Sequence, residues 1–222
     1  MTAAGRAHER IDGPAGAIEI AAALPASPRA IAVVAHPHPL FGGTMDNKVV
    51  TTVARAFHDA GAATFRFNFR GVGASAGAHD EGRGETEDLL AVAEHAARAL
   101  GELPLWLAGF SFGGGVAIRA STRVPFEHLV LMAPALRRIT GHGLGTPPDP
   151  LDASLGEVGR HTVANTIIVH GDKDDTVPLA DSIAWGAPRE VPVLVIPGAD
   201  HFFHRKLHMI RDVVGRLVRA GA

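Results

Sequence analysis

Short apolar runs recur along the chain, each bounded by glycine, proline or charged residues. Between several of them the apolar positions repeat every three to four residues instead. The runs predict strands at 17–22, 31–35, 64–69, 105–108, 129–133, 166–170 and 191–196. Most are near-continuous rather than alternating, as in parallel strands covered on both faces. Residues 48–60 carry Val49, Val50, Val53, Ala56 and Phe57 on one side and close at Gly61, which predicts a helix. A second helix is predicted over 86–100, with Leu89, Leu90, Val92, Ala93 and Ala96 on its apolar side and Gly101 as its stop. Glu85, Glu87 and Asp88 crowd its start, where the helix dipole favours acids. Residues 213–218, with Arg211, Arg216 and Arg219, read as an amphipathic closing helix. Alternating strand and helix predict an α/β fold: a doubly wound, mostly parallel sheet of about seven to eight strands with helices on both faces.

Composition narrows the field. The 222 residues suit one domain, 1–222, with an apolar content large enough for a sizeable core. A net charge of −2 with scattered Arg and Lys gives no footprint for nucleic acid or an anionic membrane. The chain has no cysteine, so disulfides, thiolate metal sites and cysteine nucleophiles are excluded. The N-terminal residues lack an apolar signal region and no apolar run approaches membrane-spanning length, so a cytoplasmic protein without a membrane partner is expected.

The chemistry centres on Gly109-Phe110-Ser111-Phe112-Gly113, directly after one predicted strand and before Val116-Ala117-Ile118. A serine on a tight strand-to-helix turn presents its hydroxyl, and flanking glycines avoid clashes across the turn. A serine in such a turn can also be a simple helix cap. The partners decide between the two. A serine hydroxyl is a weak nucleophile that needs an adjacent base, itself oriented by an acid. His201 follows the 191–196 run, and Asp172, Asp174 and Asp175 compete as acid after the 166–170 run. The chain order Ser, Asp, His is that of α/β-hydrolases.

The chain resembles the α/β-hydrolases, and more narrowly the small, lid-poor serine hydrolases with a His-Pro-His-Pro-x-x-Gly-Gly motif. Here the motif is His36-Pro37-His38-Pro39-Leu40-Phe41-Gly42-Gly43, joined by Asn68-Phe69-Arg70-Gly71-Val72-Gly73-Ala74-Ser75-Ala76-Gly77. The resemblance begins near Ile31 and runs to the C-terminus. It implies an α/β-hydrolase fold with no substantial lid and a carboxylic-ester hydrolase that needs no cofactor or metal and takes a small-molecule ester. Its Gly-x-x-Asp-x-x-Val-Pro pattern, set here by Gly171 and Val177-Pro178, places the acid at Asp174. Asp172 and Asp175 then read as turn residues bonding nearby amides.

The oxyanion hole is expected to use the backbone N–H of Phe112 and one from the loop after the early strand. Pro37 and Pro39 have no N–H, which leaves His38, Leu40 or a residue beyond. The resemblance favours Leu40, with His38 the alternative. His36, His38, Asn47 and Arg70 are expected to support the loops rather than react. Gly71 and Gly73 fail as a phosphate loop, because no Lys-Ser/Thr follows and the third dinucleotide-motif glycine is missing. His204 and His208 have helical metal-ligand spacing but no third ligand in register, so a solvated helix face is expected. Phe41, Phe112, Phe202, Trp185 and Leu144 are candidates for pocket wall or core, and residues 153–158 for one small helix. The 134–165 segment is short for a lid, which points to short acyl chains. Rival readings are amide hydrolysis or acyl transfer at the same three residues, and a non-catalytic binding protein on the same fold.

Overall fold

The computed structural model of the protein describes residues 5–136 and 165–220. Eight strands form one sheet in the order β1-β2-β4-β3-β5-β6-β7-β8. They are β1 (Gly5–Gly13), β2 (Gly16–Leu24), β3 (Ala30–Ala35), β4 (Ala62–Phe67), β5 (Leu105–Phe110), β6 (His128–Met132), β7 (Thr166–Gly171) and β8 (Val193–Ile196). β1 and β2 form an antiparallel hairpin, and β2 joins β4 antiparallel with Ile20 opposite Phe67. From β4 to β8 every pairing is parallel. This is the mostly parallel, doubly wound sheet of the sequence expectation, with β1 added at the edge.

The two faces follow from strand alternation. On β3, Ile31, Val33 and Ala35 belong to one core, with Phe65, Leu107, Leu89, Val92 and Val116. Ala32 and Val34 belong to the other, with Trp106, Ala108, Val50, Val53, Phe57, Val214 and Val218. The first core lies under α2 (Arg83–Leu100) and α3 (Phe112–Ser121). The second lies under α1 (Lys48–Asp59) and α5 (Leu207–Ala220), which are also tied by Arg211 to Asp59 at 2.6 Å. A short helix, α4 (Leu179–Gly186), follows β7. Among the described residues no helix is long and apolar enough to cross a membrane.

Several boundaries differ from the sequence reading for identifiable reasons. β4 ends at Phe67 rather than 69: the Asn68 amide still bonds the Glu19 carbonyl of β2, but the Phe69 amide goes to the His36 ring instead of a neighbouring strand. β8 starts after Pro192, which cannot donate to a ladder. α2 starts at Arg83, ahead of the expected 86. The acids at its start are not simply facing the dipole. Glu85 is buried and accepts the Asp80 and Gly82 amides, Asp88 holds Arg70, and Glu87 meets Arg123. The expected helix at 153–158 and the proposed lid-free 134–165 segment lie largely outside the described residues.

The strand order positions a site. From β3 the chain moves to β4 on one side, then crosses to β5 on the other. Loops leaving the carboxyl ends of β3 and β5 therefore diverge and open a crevice, the place where open α/β sheets bind ligands.

Candidate active site

Ser111 occupies the turn between β5 and α3 with φ 54° and ψ −118°. This conformation is unfavourable for a side-chain-bearing residue, by about 1–3 kcal/mol. It persists because its backbone is fastened: its amide donates to the Met132 carbonyl at 2.9 Å, and its carbonyl accepts from Gly114 and Ala135. The flanking glycines are steric requirements. A Cβ at Gly109 would strike the Gly113 carbonyl, and one at Gly113 would strike the His36 carbonyl. Ser111 sits at the N-cap position of α3, yet its side chain makes no capping bond. Its Oγ lies 3.0 Å from His201 Nε2 instead, which removes the helix-cap interpretation.

His201 is buried on the loop after β8, between the rings of Phe110 and Phe202 at 5.0 and 5.2 Å. Its Nδ1 lies 2.7 Å from Asp174 Oδ2. Asp174 is reached by the loop after β7 and its side chain is fully buried. Its Oδ1 accepts the amides of Thr176 and Val177 at 2.9 and 2.7 Å. Burial pushes this carboxyl up, but hydrogen bonds from His170, His201 and the Val177 amide outweigh it and hold the group well below the usual carboxylate range. Asp174 is thus an ionised acceptor beside His201.

The competing acids face elsewhere. Asp172 accepts the Gly198 amide, reaching across to the β8 loop rather than bonding within its own turn. Asp175 is exposed and takes only the Thr176 hydroxyl, at 3.3 Å.

The loop after β3 is built on its histidines. His36 Nδ1 lies 2.6 Å from the Pro37 carbonyl, so it carries the proton, and Nε2 accepts the Phe69 amide at 3.0 Å. Burial is the main reason that the imidazole is pushed down to about 4, against an ordinary 6.5. His38 Nδ1 accepts the Leu40 amide at 3.3 Å, and its carbonyl accepts the amides of Phe41 and Gly43. The Gly42 amide goes to the Pro39 carbonyl. Leu40, the expected oxyanion donor, is therefore engaged within its own loop.

The other motif residues are supports. Asn47 caps α1 through the Val49 amide at 2.9 Å. Arg70 grips Asp88 with Nε at 3.0 Å and Nη2 at 2.8 Å. Asn68 donates to Glu19 and accepts the Met45 amide, while Ser75 donates to the Asn68 carbonyl at 2.6 Å and accepts the Glu19 amide.

Of the pocket-wall candidates, Phe112 is buried against Phe69 and Trp185 packs partly buried on the core. Phe41 and Phe202 stay open to solvent, 78% and 45% exposed, with Leu40 beside Phe41 at 68%. Leu144 lies outside the described residues. His204 bonds Asp200 at 2.7 Å. Among the described residues no three His, Cys, Asp or Glu side chains gather as a metal site.

Sequence reasoning gave no role to His79, His170 or Ser182, and gave Glu85 only a place at the start of its helix. His79 Nδ1 lies 2.7 Å from buried Glu85 and its ring neighbours those of His38 and Phe112. His170 and Ser182 stand behind Asp174. The visible signal for His170 was a histidine at the end of a buried strand, four residues before the acid.

Residues 26–154, more than half of the chain, match the protein family described as serine aminopeptidase, S33, an α/β-hydrolase family. The chain belongs to that family. Its fold is the α/β-hydrolase fold. A solved structure from Xanthomonas campestris, described as an α/β serine hydrolase without lid, is 36% identical over 99% of this chain and 96% of its own, with a TM-score of 0.84. An α/β serine hydrolase homologue from Coxiella burnetii is 35% identical over 95% of this chain and 96% of its own, with a TM-score of 0.78. An uncharacterised protein of Rickettsia prowazekii is 34% identical over 203 residues, 88% of this chain and 81% of its own. The chain is accordingly a hydrolase of the serine α/β-hydrolase class.

The His36 geometry has a consequence for stability. The folded state holds this imidazole neutral down to about 4, whereas the unfolded chain takes up the proton near 6.5. The unfolded state therefore binds more protons between those values, and stability falls as pH falls through that window, by up to about 3 kcal/mol. Denaturant titrations from pH 7 to 4 should show the decline, and His36→Gln, though less stable at neutral pH, should lose less over the same interval. Parallel curves for the two proteins would remove His36 as the source.

Proposed function

We propose that this hydrolase cleaves carboxylic esters of small molecules through an acyl-enzyme on Ser111. The observation that carries the reading is the unbroken chain Ser111 Oγ, His201 Nε2, His201 Nδ1, Asp174 Oδ2, with links of 3.0 and 2.7 Å. His201 takes the Ser111 proton as Oγ attacks the ester carbonyl. The ionised Asp174 fixes the ring's tautomer and stabilises the imidazolium that forms. His201 then gives the proton to the departing alcohol oxygen. Water enters, is deprotonated by His201, and releases the acid by the same steps in reverse order. These residues supply nucleophile, base and acid from the chain alone, so the reading invokes no cofactor.

The developing oxyanion is held by the Phe112 amide at the start of α3, where the helix also presents its positive end. The second donor comes from the loop after β3: Pro37 and Pro39 cannot donate, which leaves Leu40, with His38 the alternative.

A second reading, amide or aminoacyl hydrolysis, is favoured by the description of the matching family as a serine aminopeptidase. Comparing p-nitrophenyl esters with aminoacyl p-nitroanilides separates the two. The ester reading requires the esters to dominate in kcat/KM.

Ser111→Ala should cost roughly 10⁴-fold or more in turnover and abolish labelling by a fluorophosphonate, with the fold intact. More than a tenth of the original turnover would sink the nucleophile assignment.

Asp174→Asn should cost far more in kcat than Asp172→Asn or Asp175→Asn. An amide neither carries the charge nor enforces the tautomer, and only Asp174 reaches the His201 ring. Greater damage from either neighbour at equal stability would misplace the acid.

Short acyl chains, roughly two to six carbons, should be preferred. Leu40 and Phe41 on the loop after β3 and Phe202 on the loop after β8 are exposed to solvent rather than closed in as walls. Further methylenes gain about 0.8 kcal/mol each only where they leave water. A kcat/KM that climbs steadily from butyrate to dodecanoate, below the micelle threshold, would refute this.

A further inference from the structure

Behind Asp174 stands a second serine and histidine. His170, at the end of β7, is fully buried, and its Nε2 lies 3.2 Å from Asp174 Oδ2 and 3.0 Å from the Val177 carbonyl. Both neighbours are acceptors, so Nε2 carries the hydrogen and shares it between them. Nδ1 is then a lone pair, and the Ser182 hydroxyl, 2.8 Å away and buried on α4, donates to it. The arrangement mirrors the reacting side. Asp174 Oδ2 receives an N–H from each of two imidazoles, and each imidazole accepts a hydrogen bond from a serine hydroxyl. One serine, Ser111, lies at the crevice; the other, Ser182, is sealed in the core.

We propose that His170, fixed in its tautomer by Ser182, is a positioning residue for the Asp174 acid. The proposal rests on the reading of Ser111, His201 and Asp174 as the reacting groups. Two effects follow from the geometry. The backbone amides of Thr176 and Val177 fix Oδ1 and His170 fixes Oδ2, so the carboxylate cannot rotate away from His201. The His170 N–H also takes up part of the charge on the oxygen that faces His201. Oδ2 is thereby a weaker proton acceptor, and the proton stays on the imidazole ready for the leaving group. The titratable groups facing Asp174 are His170 from β7 and His201 from the β8 loop. On its own loop Asp172 faces Gly198 and Asp175 faces Thr176. A histidine needed only for packing would be expendable to an apolar side chain of similar bulk. One that acts through Asp174 would not, because its loss changes the charge that His201 feels.

The test is ester hydrolysis as a function of pH for the intact protein, His170→Met, His170→Gln and Ser182→Ala. Met removes the donor, whereas the Gln amide can stand near the position of Nε2. His170→Met should lower kcat roughly ten- to a hundredfold with KM little changed, the loss expected when a hydrogen bond to a charged group is removed. The acid limb of its kcat/KM profile should move to higher pH, because the unshared carboxylate holds the protonated His201 more firmly. His170→Gln should recover most of the rate and return the limb towards its original position. A folded His170→Met with the original rate and limb would overturn the proposal, as would a Gln variant no better than Met. If His170→Met does not fold, Ser182→Ala decides: the proposal requires a several-fold fall in kcat with the limb displaced in the same direction, and an unmoved limb rejects it. Fluorophosphonate labelling of the unaltered protein separates the two levels. Absence of a Ser111 adduct defeats the reading of the reacting groups, whereas a normal adduct with indifferent His170 and Ser182 variants defeats only this inference.

Discussion

A buried negative charge organises this molecule. The Asp174 side chain has no exposure to solvent, a position costly for a carboxylate unless its oxygens are filled with donors. Its donors come from three parts of the chain: the end of β7, the loop that carries Asp174 itself, and the loop after β8. Meeting this demand fixes the two loops relative to each other. Asp172 adds a bond to the Gly198 amide, and the Lys173 amide donates to the Ala199 carbonyl at 2.9 Å. The approach is so close that a Cβ at Gly171 would strike that same carbonyl. The orientation of His201 is therefore a consequence of satisfying one charge, rather than an independent feature of its own loop.

The opposite wall of the site is held by steric closeness instead of charge. Ser111 keeps its unfavourable backbone conformation because the turn is bound to β6 on one side and packed on the loop after β3 on the other. Only glycine at 113 permits that contact, and only glycine at 109 lets the turn close on Gly113. The loop after β3 is itself fixed by His36, whose two ring nitrogens are used by Pro37 and Phe69. Charge satisfaction and close packing thus meet at one 3.0 Å contact, that between Ser111 and His201.

Legibility in the sequence follows these two constraints. The buried parallel strands could be read because each is apolar on both faces, and the glycine-flanked serine because the turn admits so few residues. β1 was missed: it is an edge strand, Gly-Arg-Ala-His-Glu-Arg-Ile-Asp-Gly, whose described side chains turn only Ile11 fully into the core. α4 was missed because eight residues after a proline carry too little periodicity to stand out. Asp174 was separated from its neighbours by motif register, and the hydrogen bonds give the physical reason for that register. The internal bonding of the loop after β3 was not legible: the bond from the Leu40 amide to His38 has no signature in residue type.

The supporting residues of the Asn68–Gly77 stretch show why a polar motif near a reactive centre need not be reactive. Glu19, Asn68 and Ser75 bond one another, and Arg70 is consumed by Asp88, a bidentate pair seated where Gly84 leaves room for the guanidinium. Every charged group there already has its partner. The stretch is linked to the Ser111 turn through the Phe69 amide, which bonds His36, whose carbonyl lies against Gly113. His170 differs from them in one respect: its hydrogen bond ends on the atom that His201 uses. A support one contact removed from Ser111 and His201 bears on where they sit. A support bonded to the Asp174 oxygen that faces His201 bears also on the charge beside that ring.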